Sequence, residues 1–373
     1  MIRFMNSTHL NHITDDSLKI VRYQLKNEVS VHQALMPGDK VCFSQDMRYL
    51  WFSSVFAPNG FLPGGRRAAA VLDLSDDRIS VHRDIQPETG FLVSADGEVY
   101  WSTTNQILKK KPEVASAVER VIEVPGDMRT FPGFAASQIS YSPDKKSLIV
   151  DISEADSVSM CSIELRSSAL TRWGKYTGGW HKPMANPCHA EKILFLRKNW
   201  KEYATGIRHD VERDESGNLK CLWILNQGGE TEYVCTGKAF VTAAAWTSAG
   251  DAIYYSTTEG FFSVDHTKNT TECLYKGSVQ AFSVSANGRY ACLDLCTSLS
   301  GQPSEWVFLD LESGKTILVS APAAIFPETA SEYGLNAQPR FVAGDKLIAF
   351  NIAHGAKLTT AFYCTNDLAA LLK

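Results

Sequence analysis

The residues best suited to chemistry lie near the middle of the chain, in residues 178–195. The stretch opens with a Gly-Gly pair, which frees the backbone, and continues with Trp180 and His181. A polar Asn-Pro turn and an apolar strand beginning at Lys192 follow. This pattern predicts a titratable side chain on a loop that feeds a strand. Because imidazole titrates near neutral pH, His181 is a candidate general acid or base.

Other chemically useful side chains come just before further β-rich segments. Arginine suits a carboxylate through a bidentate contact, and tyrosine and asparagine can hold sugar hydroxyls. The candidates of this kind are His32, Arg129, Trp180, Tyr333, Asn336, Gln338 and Arg340. Each has a structural alternative, which for Arg340 is an ion pair just inside a strand. His189 falls on the turn side of its segment, where we expect it to be exposed to solvent.

Composition excludes several classes of function. The 373 residues carry a formal net charge of −4, which argues against a general nucleic-acid binder, and no basic run indicates a membrane surface. The first residues lack the apolar core of a signal peptide, and no apolar run could span a bilayer. The nine cysteines include no C-x-x-C pair and favour reduced thiols. We expect a cytoplasmic protein without nucleic-acid or membrane partners.

A repeat organises the chain, and helical periodicity is almost absent. Each unit is a β-rich run, a Ser-x-Asp/Asn-Gly-like turn and a second apolar run, usually followed by a third. Seven copies recur at intervals of about 40 to 60 residues, the range of propeller blades. Their first two runs span residues 41–52, 91–101, 139–150, 178–195, 245–255, 282–292 and 339–350.

This spacing predicts an all-β, seven-bladed β-propeller with four-stranded antiparallel blades. We expect residues 1–373 to form a single domain, in which the N-terminal run 20–23 pairs with the last blade and closes the ring. A propeller commonly binds ligands at one mouth of its central channel, where the loops before the first strands meet. The candidate residues would therefore converge on one mouth.

The chain resembles the oligogalacturonate lyases, cytoplasmic seven-bladed propellers that cleave short uronate oligosaccharides by β-elimination. The patches that carry the resemblance are residues 40–56 with 72–74, 179–195 and 338–341. The resemblance implies that His181 lies where the family's catalytic histidine falls. It also implies that His32 matches an early histidine of the family.

The resemblance fails at the family's metal site. The family holds a divalent metal with a histidine from the fifth-blade loop and a Gln-x-x-His-x-His run in the seventh blade. Here the fifth-blade loop offers Ala243 before Trp246, and the seventh offers Tyr333, Asn336 and Gln338. None of these is a strong divalent-metal ligand. We therefore predict no metal site and no cofactor.

Without the metal, proton abstraction next to a uronate carboxylate needs another positive charge to neutralise that carboxylate. Arg129 or Arg340 would supply it, with His181 and Tyr333 as base and acid and Trp180, His32, Asn336 and Gln338 as substrate contacts. The sequence thus predicts a metal-independent, or weakly metal-dependent, lyase for a small acidic saccharide. The alternatives are a propeller that binds a saccharide or protein without catalysis and, less favoured, a protein-interaction propeller. The oligomeric state stays open.

Overall fold

The computed structural model confirms the predicted all-β fold, with seven four-stranded antiparallel blades. The helices within the described residues are too short to span a bilayer. The described residues are 1–30, 32–36, 42–55, 67–85, 90–128, 135–202, 205–295, 304–321, 337–354 and 357–373.

The chain enters through a short helix and two strands and then builds the blades in order. The entering elements are α1 (Ile2–Met5), β1 (Leu10–Thr14) and β2 (Val21–Leu25). Blade 1 contains β3 (His32–Ala34), β4 (Tyr49–Val55), β5 (Arg67–Asp73) and β6 (Arg78–His82). Blade 2 contains β7 (Phe91–Val93), β8 (Val99–Ser102), β9 (Gln106–Lys110) and β10 (Glu119–Glu123), followed by a 3-10 turn at Gly126–Met128. Blade 3 contains β11 (Ile139–Tyr141), β12 (Ser147–Glu154), β13 (Ser157–Glu164) and β14 (Leu170–Thr177).

Blade 4 differs from its neighbours by carrying an additional hairpin. Its strands, with β17 and β18 forming that hairpin, are β15 (Gly179–Ala185), β16 (Lys192–Lys198), β17 (Trp200–Lys201), β18 (Arg208–His209), β19 (Leu222–Asn226) and β20 (Thr231–Val234). Blade 5 contains β21 (Val241–Trp246), β22 (Ile253–Thr257), β23 (Gly260–Asp265) and β24 (Thr270–Lys276). Blade 6 contains β25 (Ala281–Val284), β26 (Tyr290–Asp294), β27 (Ser304–Asp310) and β28 (Thr316–Ala321).

The seventh blade contains strands from both ends of the chain. Its own strands are β29 (Arg340–Val342), β30 (Leu347–His354) and β31 (Lys357–Cys364), before the final helix α2 (Thr365–Leu371). Strand β2 pairs antiparallel with β31, with Tyr23 opposite Phe362. First strands of neighbouring blades contact each other, as β11 does with β15 and β21 does with β25, so they surround the channel axis.

A serine helps to form the turn after the first strand in blades 1, 2, 3 and 6. In blade 3 the Ser142 hydroxyl donates to the Asp144 carboxylate at 2.8 Å, and that carboxylate accepts the Lys146 N–H at 3.1 Å. The same bond joins Ser44 to Asp46 and Ser285 to Asn287. The positive φ falls on the residue after the acid, here Lys145 at 58°. The acidic residue of this turn is therefore a hydrogen-bond acceptor, whereas in blade 7 the acidic residue Asp345 itself has a φ of 63°.

A hydrogen-bonded bridge joins blades 3 and 4 at the end of the channel where the first strands begin. The buried carboxylate of Asp151 accepts the N–H groups of Ser137 and Gln138, at 2.8 and 3.3 Å, and the Ser137 hydroxyl. That hydroxyl in turn accepts the main-chain N–H of Lys182, at 3.3 Å. Asp294 likewise accepts the N–H of Gln338. Buried side chains on second strands thus hold the entry segments of the blades in place.

Replacing Asp151 tests this bridge. Asp151→Ala leaves two N–H groups without an acceptor, and we expect it to lower the free energy of unfolding by about 2 kcal/mol. Asp151→Asn keeps an acceptor oxygen for the two N–H groups and is the matched control; it loses the charge, and its NH2 donates to the Ser137 hydroxyl where the carboxylate accepted from it. Urea unfolding of both variants, monitored by tryptophan fluorescence, gives the comparison. Equal losses in the two variants would contradict the bridge.

The burial of Asp151 also makes the difference in stability between Asp151→Asn and the unsubstituted chain depend on pH. Burial raises the pKa of Asp151 from 3.8 to about 6, against the opposing effect of its hydrogen bonds. A carboxyl whose pKa is raised by folding stabilises the protein while protonated, and that contribution is lost as pH rises through this window. As the pH rises from about 4 to about 6, we therefore expect the free energy of unfolding of Asp151→Asn to increase relative to that of the unsubstituted chain. A constant difference across the window would contradict a buried carboxyl.

Candidate active site

His181 lies inside a first strand, and the expectation that it belongs to a loop is wrong. It is part of β15, where its Cα partner on β16 is Leu196. The register shifts between His181 and Met184, and Lys182 in this bulge has a φ of 56°. A bulge redirects side chains and is common next to functional sites. The bulge therefore presents His181 and Lys182 differently from the rest of the strand.

The Gly-Gly pair before His181 serves close packing. Gly178 has a φ of +111°, and a Cβ there would lie 2.9 Å from the indole nitrogen of Trp200. A Cβ on Gly179 would lie 2.6 Å from the carbonyl oxygen of Lys198. Only glycine leaves room for Trp200 and Lys198 to approach β15 this closely.

The imidazole of His181 is neutral at ordinary pH. Burial lowers its pKa to about 3, with further lowering by the charges of Lys198 and Lys182. Its Nδ1 lies 3.4 Å from the carbonyl oxygen of Leu196. Since a carbonyl can only accept, this contact favours the proton on Nδ1 and leaves the Nε2 lone pair available. The arrangement suits a general base that does not need to lose a proton first.

Two lysines make the surroundings of His181 positive. The Lys182 side chain is exposed to solvent, yet the surrounding protein and Lys198 lower the pKa of its ammonium group. We call the surroundings of His181, Lys182 and Lys198 the recess. Lys198 is also exposed. No ion pair is found for either lysine within the described part of the chain, so both charges can meet an anionic ligand.

Trp180 faces away from this recess, into the core between blades 3 and 4. It is buried against Trp173, Phe195 and their neighbours, and its indole N–H donates to the carbonyl oxygen of Thr177 at 2.9 Å. The guanidinium of Arg197 lies 4.9 Å from the centre of its ring. These contacts are structural, and contact of Trp180 with a substrate stays a prediction.

Gln338 and Arg340 lie together where blade 7 meets blade 1. The Arg340 guanidinium is buried and donates to the carbonyl oxygen of Met36 at 3.2 Å and to Oε1 of Gln338 at 3.3 Å. The bond to Met36 joins blade 7 to blade 1 and the bond to Gln338 is local, so a structural role accounts for both. A role of Arg340 or Gln338 in substrate binding stays a prediction.

The remaining candidates cannot be placed relative to His181. Arg129, Tyr333 and Asn336 lie outside the described residues. The main chain of His32 is part of β3, where it pairs with Val55, which corrects the expectation that it lies in a loop. Nothing of its side chain is described.

The described residues do not fit a divalent metal. Ala243 contributes a methyl group, the Trp246 indole N–H donates to the carbonyl oxygen of Met184 at 3.2 Å, and Gln338 already accepts a bond from Arg340. Within the described ranges, no group of three or more His, Cys, Asp or Glu residues could hold a metal. The two ammonium groups near His181 would also repel a cation.

The residues that sequence reasoning overlooked are Lys182, Lys198 and the Asp151–Ser137 pair. Lys182 directly follows His181, and that position was the one available signal. Lys198 reaches the site because β15 and β16 pair with Gly179 opposite Lys198. Asp151 comes from another blade, so no local sequence pattern could have linked it to His181.

Substituting Gly178 tests how the recess is built. Gly178→Ala adds both an unfavourable φ and a clash with Trp200, and we expect a loss of about 3 kcal/mol in the free energy of unfolding. Gly237→Ala is the matched control, because Gly237 has a φ of +86° with nothing within 4 Å of a Cβ. We expect it to cost about 1 kcal/mol. Equal losses by chemical denaturation would show that Trp200 does not require a glycine here.

Comparisons with known proteins agree with this geometry at the level of the fold. No protein-family model and no curated protein sequence matches the chain. Among solved structures, an oligogalacturonate lyase in complex with manganese is similar with a TM-score of 0.72 and 14% identity, over 95% of this chain and 96% of that chain. The oligogalacturonate lyase from Vibrio parahaemolyticus gives a TM-score of 0.70 and 11% identity over the same shares.

Another solved structure is less similar to this chain than the two lyases are. The hydrazine synthase of Kuenenia stuttgartiensis gives a TM-score of 0.54 and 12% identity, over 87% of this chain and 95% of that chain. At such identities the likeness concerns the fold. The resemblance found in the sequence is thus confirmed at that level: this chain is a seven-bladed β-propeller with the fold of the oligogalacturonate lyases.

Proposed function

We propose that the protein is a lyase that cleaves short uronate-containing oligosaccharides by β-elimination. The observation that carries the proposal is a neutral histidine flanked by two ammonium groups at the end of the channel where the first strands begin, which we call the entry end. A neutral imidazole is a base, and the ammonium groups suit a carboxylate. The fold shared with oligogalacturonate lyases supports the same class of reaction.

The reaction needs three functions from the site. A base removes the proton on C5 of the uronate, next to the carboxylate. The electrons of that C–H bond form the C4–C5 double bond, and the C4–O bond to the leaving sugar breaks with its electron pair. The leaving oxygen takes up a proton. Negative charge develops on the carboxylate as the proton departs, so a cation there lowers the barrier.

His181 is the proposed base, through Nε2. In the free protein the pKa of about 3 makes it a weak base. A bound uronate carboxylate offsets the charges of Lys182 and Lys198, which raises the imidazole pKa toward its ordinary value when the substrate is in place. Substrate binding thus strengthens the base at the moment that the base is needed.

Lys198 and Lys182 are the proposed carboxylate clamp. They take over the role that the sequence suggested for Arg129 or Arg340, and no step of the proposal passes through a metal. The lowered pKa of Lys182 also makes it a better proton donor than an ordinary lysine. Lys182 and Tyr333 are therefore the two candidates for the acid that protonates the leaving oxygen.

Saccharide binding without turnover is the second candidate function. It is favoured by the depth of the pKa shift of His181, because a base this weak abstracts carbon-bound protons slowly unless the substrate raises its pKa. A binder would use the same two lysines and the same recess. It would form no unsaturated product.

Replacing His181 distinguishes the two functions. We expect His181→Gln to lower turnover of a galacturonate or glucuronate oligomer by a factor of about 10² to 10⁴, the usual contribution of a general base. The measurement is the ultraviolet absorbance of the C4–C5 double bond. His189→Gln is the control, since His189 is exposed on the turn at the far end of the strands, and it should keep full turnover. Equal rates in both variants would remove His181 from the reaction.

The pH profile tests the electrostatics of the base. Only unprotonated His181 is active, so its depressed pKa should keep kcat/KM constant down to about pH 4. Lys198→Met removes a charge that depresses this pKa, so the fall of kcat/KM on the acid side should move to higher pH. An acid limb near pH 6.5 in the unsubstituted protein would contradict the assignment.

A further inference from the structure

The additional hairpin of blade 4 lies at the same end of the propeller as His181. Strand β15 begins at Gly179, and its antiparallel partner β16 ends opposite it, at Lys198. The chain then makes the hairpin β17–β18 before it returns to β19 at Leu222. We call residues 199–221 the blade-4 arm.

The arm is tied to the propeller at its base. The side chain of Asn199 accepts the N–H of Val211 at 2.8 Å, and Arg197 pairs with Glu212 at 3.1 Å. Val211 is also buried with Leu219 in a small apolar cluster. Because these contacts hold the base, the hairpin has a defined position next to β15.

The hairpin presents a pair of stacked rings. The rings of Trp200 and His209 lie 4.5 Å apart between centroids with an interplanar angle of 13°. His209 is exposed and Trp200 is half-buried. A hairpin with only two paired positions on each strand is marginal by itself, so the stack contributes to its stability. The stack also leaves aromatic surface open to a ligand.

Lys198 connects this stack to His181. A Cβ on Gly179 would meet both Cβ of Trp200 and Cγ of Lys198, so these two residues share one face. Lys198 is also close enough to lower the pKa of His181. Gly178, which contacts Trp200, is three residues from His181, or about 10 Å along an extended strand. A base, a cation and an aromatic surface therefore follow one another across the entry end of blade 4.

This order of groups matches an acidic saccharide of several units. Pyranose rings carry an apolar face of C–H groups that packs on aromatic rings, and uronate units carry a carboxylate for an ammonium group. We propose that Lys198, Trp200 and His209 form a further saccharide subsite, which holds a uronate unit beyond the two that flank the bond broken at His181. This inference rests on the proposed function and adds to it a preference for oligomers longer than the dimer.

Binding measurements on two chain lengths test the subsite. Affinity for a galacturonate dimer and tetramer is measured by calorimetry in the His181→Gln background, so that the ligand is not consumed. There, Trp200→Ala should weaken tetramer binding about tenfold and dimer binding less than twofold. Ile207→Ala is the control, because Ile207 is an exposed apolar residue of the same hairpin, and it should change neither affinity.

Two further variants guard against loss of the arm itself. Trp200→Phe keeps an aromatic ring against Gly178 and should restore much of the tetramer affinity. His209→Ala removes the exposed ring without touching the packing on Gly178 and should weaken tetramer binding alone. Unchanged melting temperatures would establish that each variant keeps its fold.

The outcomes separate this inference from the proposed function. Equal effects of Trp200→Ala on dimer and tetramer, or no effect, would overturn the subsite even if the protein is a lyase. A length-dependent loss of binding, with no product formed by the unsubstituted protein, would support the subsite and overturn the lyase. No binding of either oligomer to the unsubstituted protein would overturn both.

Discussion

The hydrogen bond from the Lys182 N–H to Ser137 is the contact on which the candidate site depends. It fixes the bulge in β15, and the Asp151 carboxylate fixes Ser137 in turn. In that bulge Lys182 has a φ of 56°, so the strand departs there from its ordinary alternation. A contact between two blades thus holds the strand segment that carries the candidate site.

The electrostatics of the recess follow from that geometry. A histidine and two lysines lie close together, and burial removes part of the water that would otherwise screen them. The neutral form of the imidazole has the lowest free energy, because deprotonating it removes one of three positive charges. The remaining charges suit an anionic ligand better than a metal ion. In the proposed function, the same physical cause therefore sets the protonation state of the base and the charge of the ligand.

Much of the fold could be predicted from the sequence, because its repeat depends on contacts between residues that are close in the sequence. In blades 1, 2, 3 and 6 the serine of the turn bonds to the acidic or asparagine side chain two residues later, so the repeat is visible without knowledge of the ring. The number of blades follows from counting the repeat units. Residues 178–195 also drew attention to blade 4, because Trp180 and His181 stand out among apolar runs.

The site was less predictable, because its parts meet through pairing and packing. Lys198 is distant from His181 in sequence and reaches it only through the register of β15 and β16. The Gly-Gly pair looked like a flexible loop, whereas it makes room for Trp200, a residue of the later hairpin. Arg340 looked like a ligand for a carboxylate, whereas its bond to Met36 joins blade 7 to blade 1 and its bond to Gln338 is local. Sequence distance hides such contacts even when the residue types are suggestive.

The protonation state of His181 in the free protein is the most direct test that this residue is a neutral base beside two lysines. Nuclear magnetic resonance of the labelled imidazole, followed from acid to neutral pH in the free protein, reports its pKa without any assumption about a substrate. We expect a pKa of about 3 for His181, and at higher pH we expect the remaining proton on Nδ1. An imidazole that titrates near the ordinary value of about 6.5 would contradict the buried, lysine-flanked site.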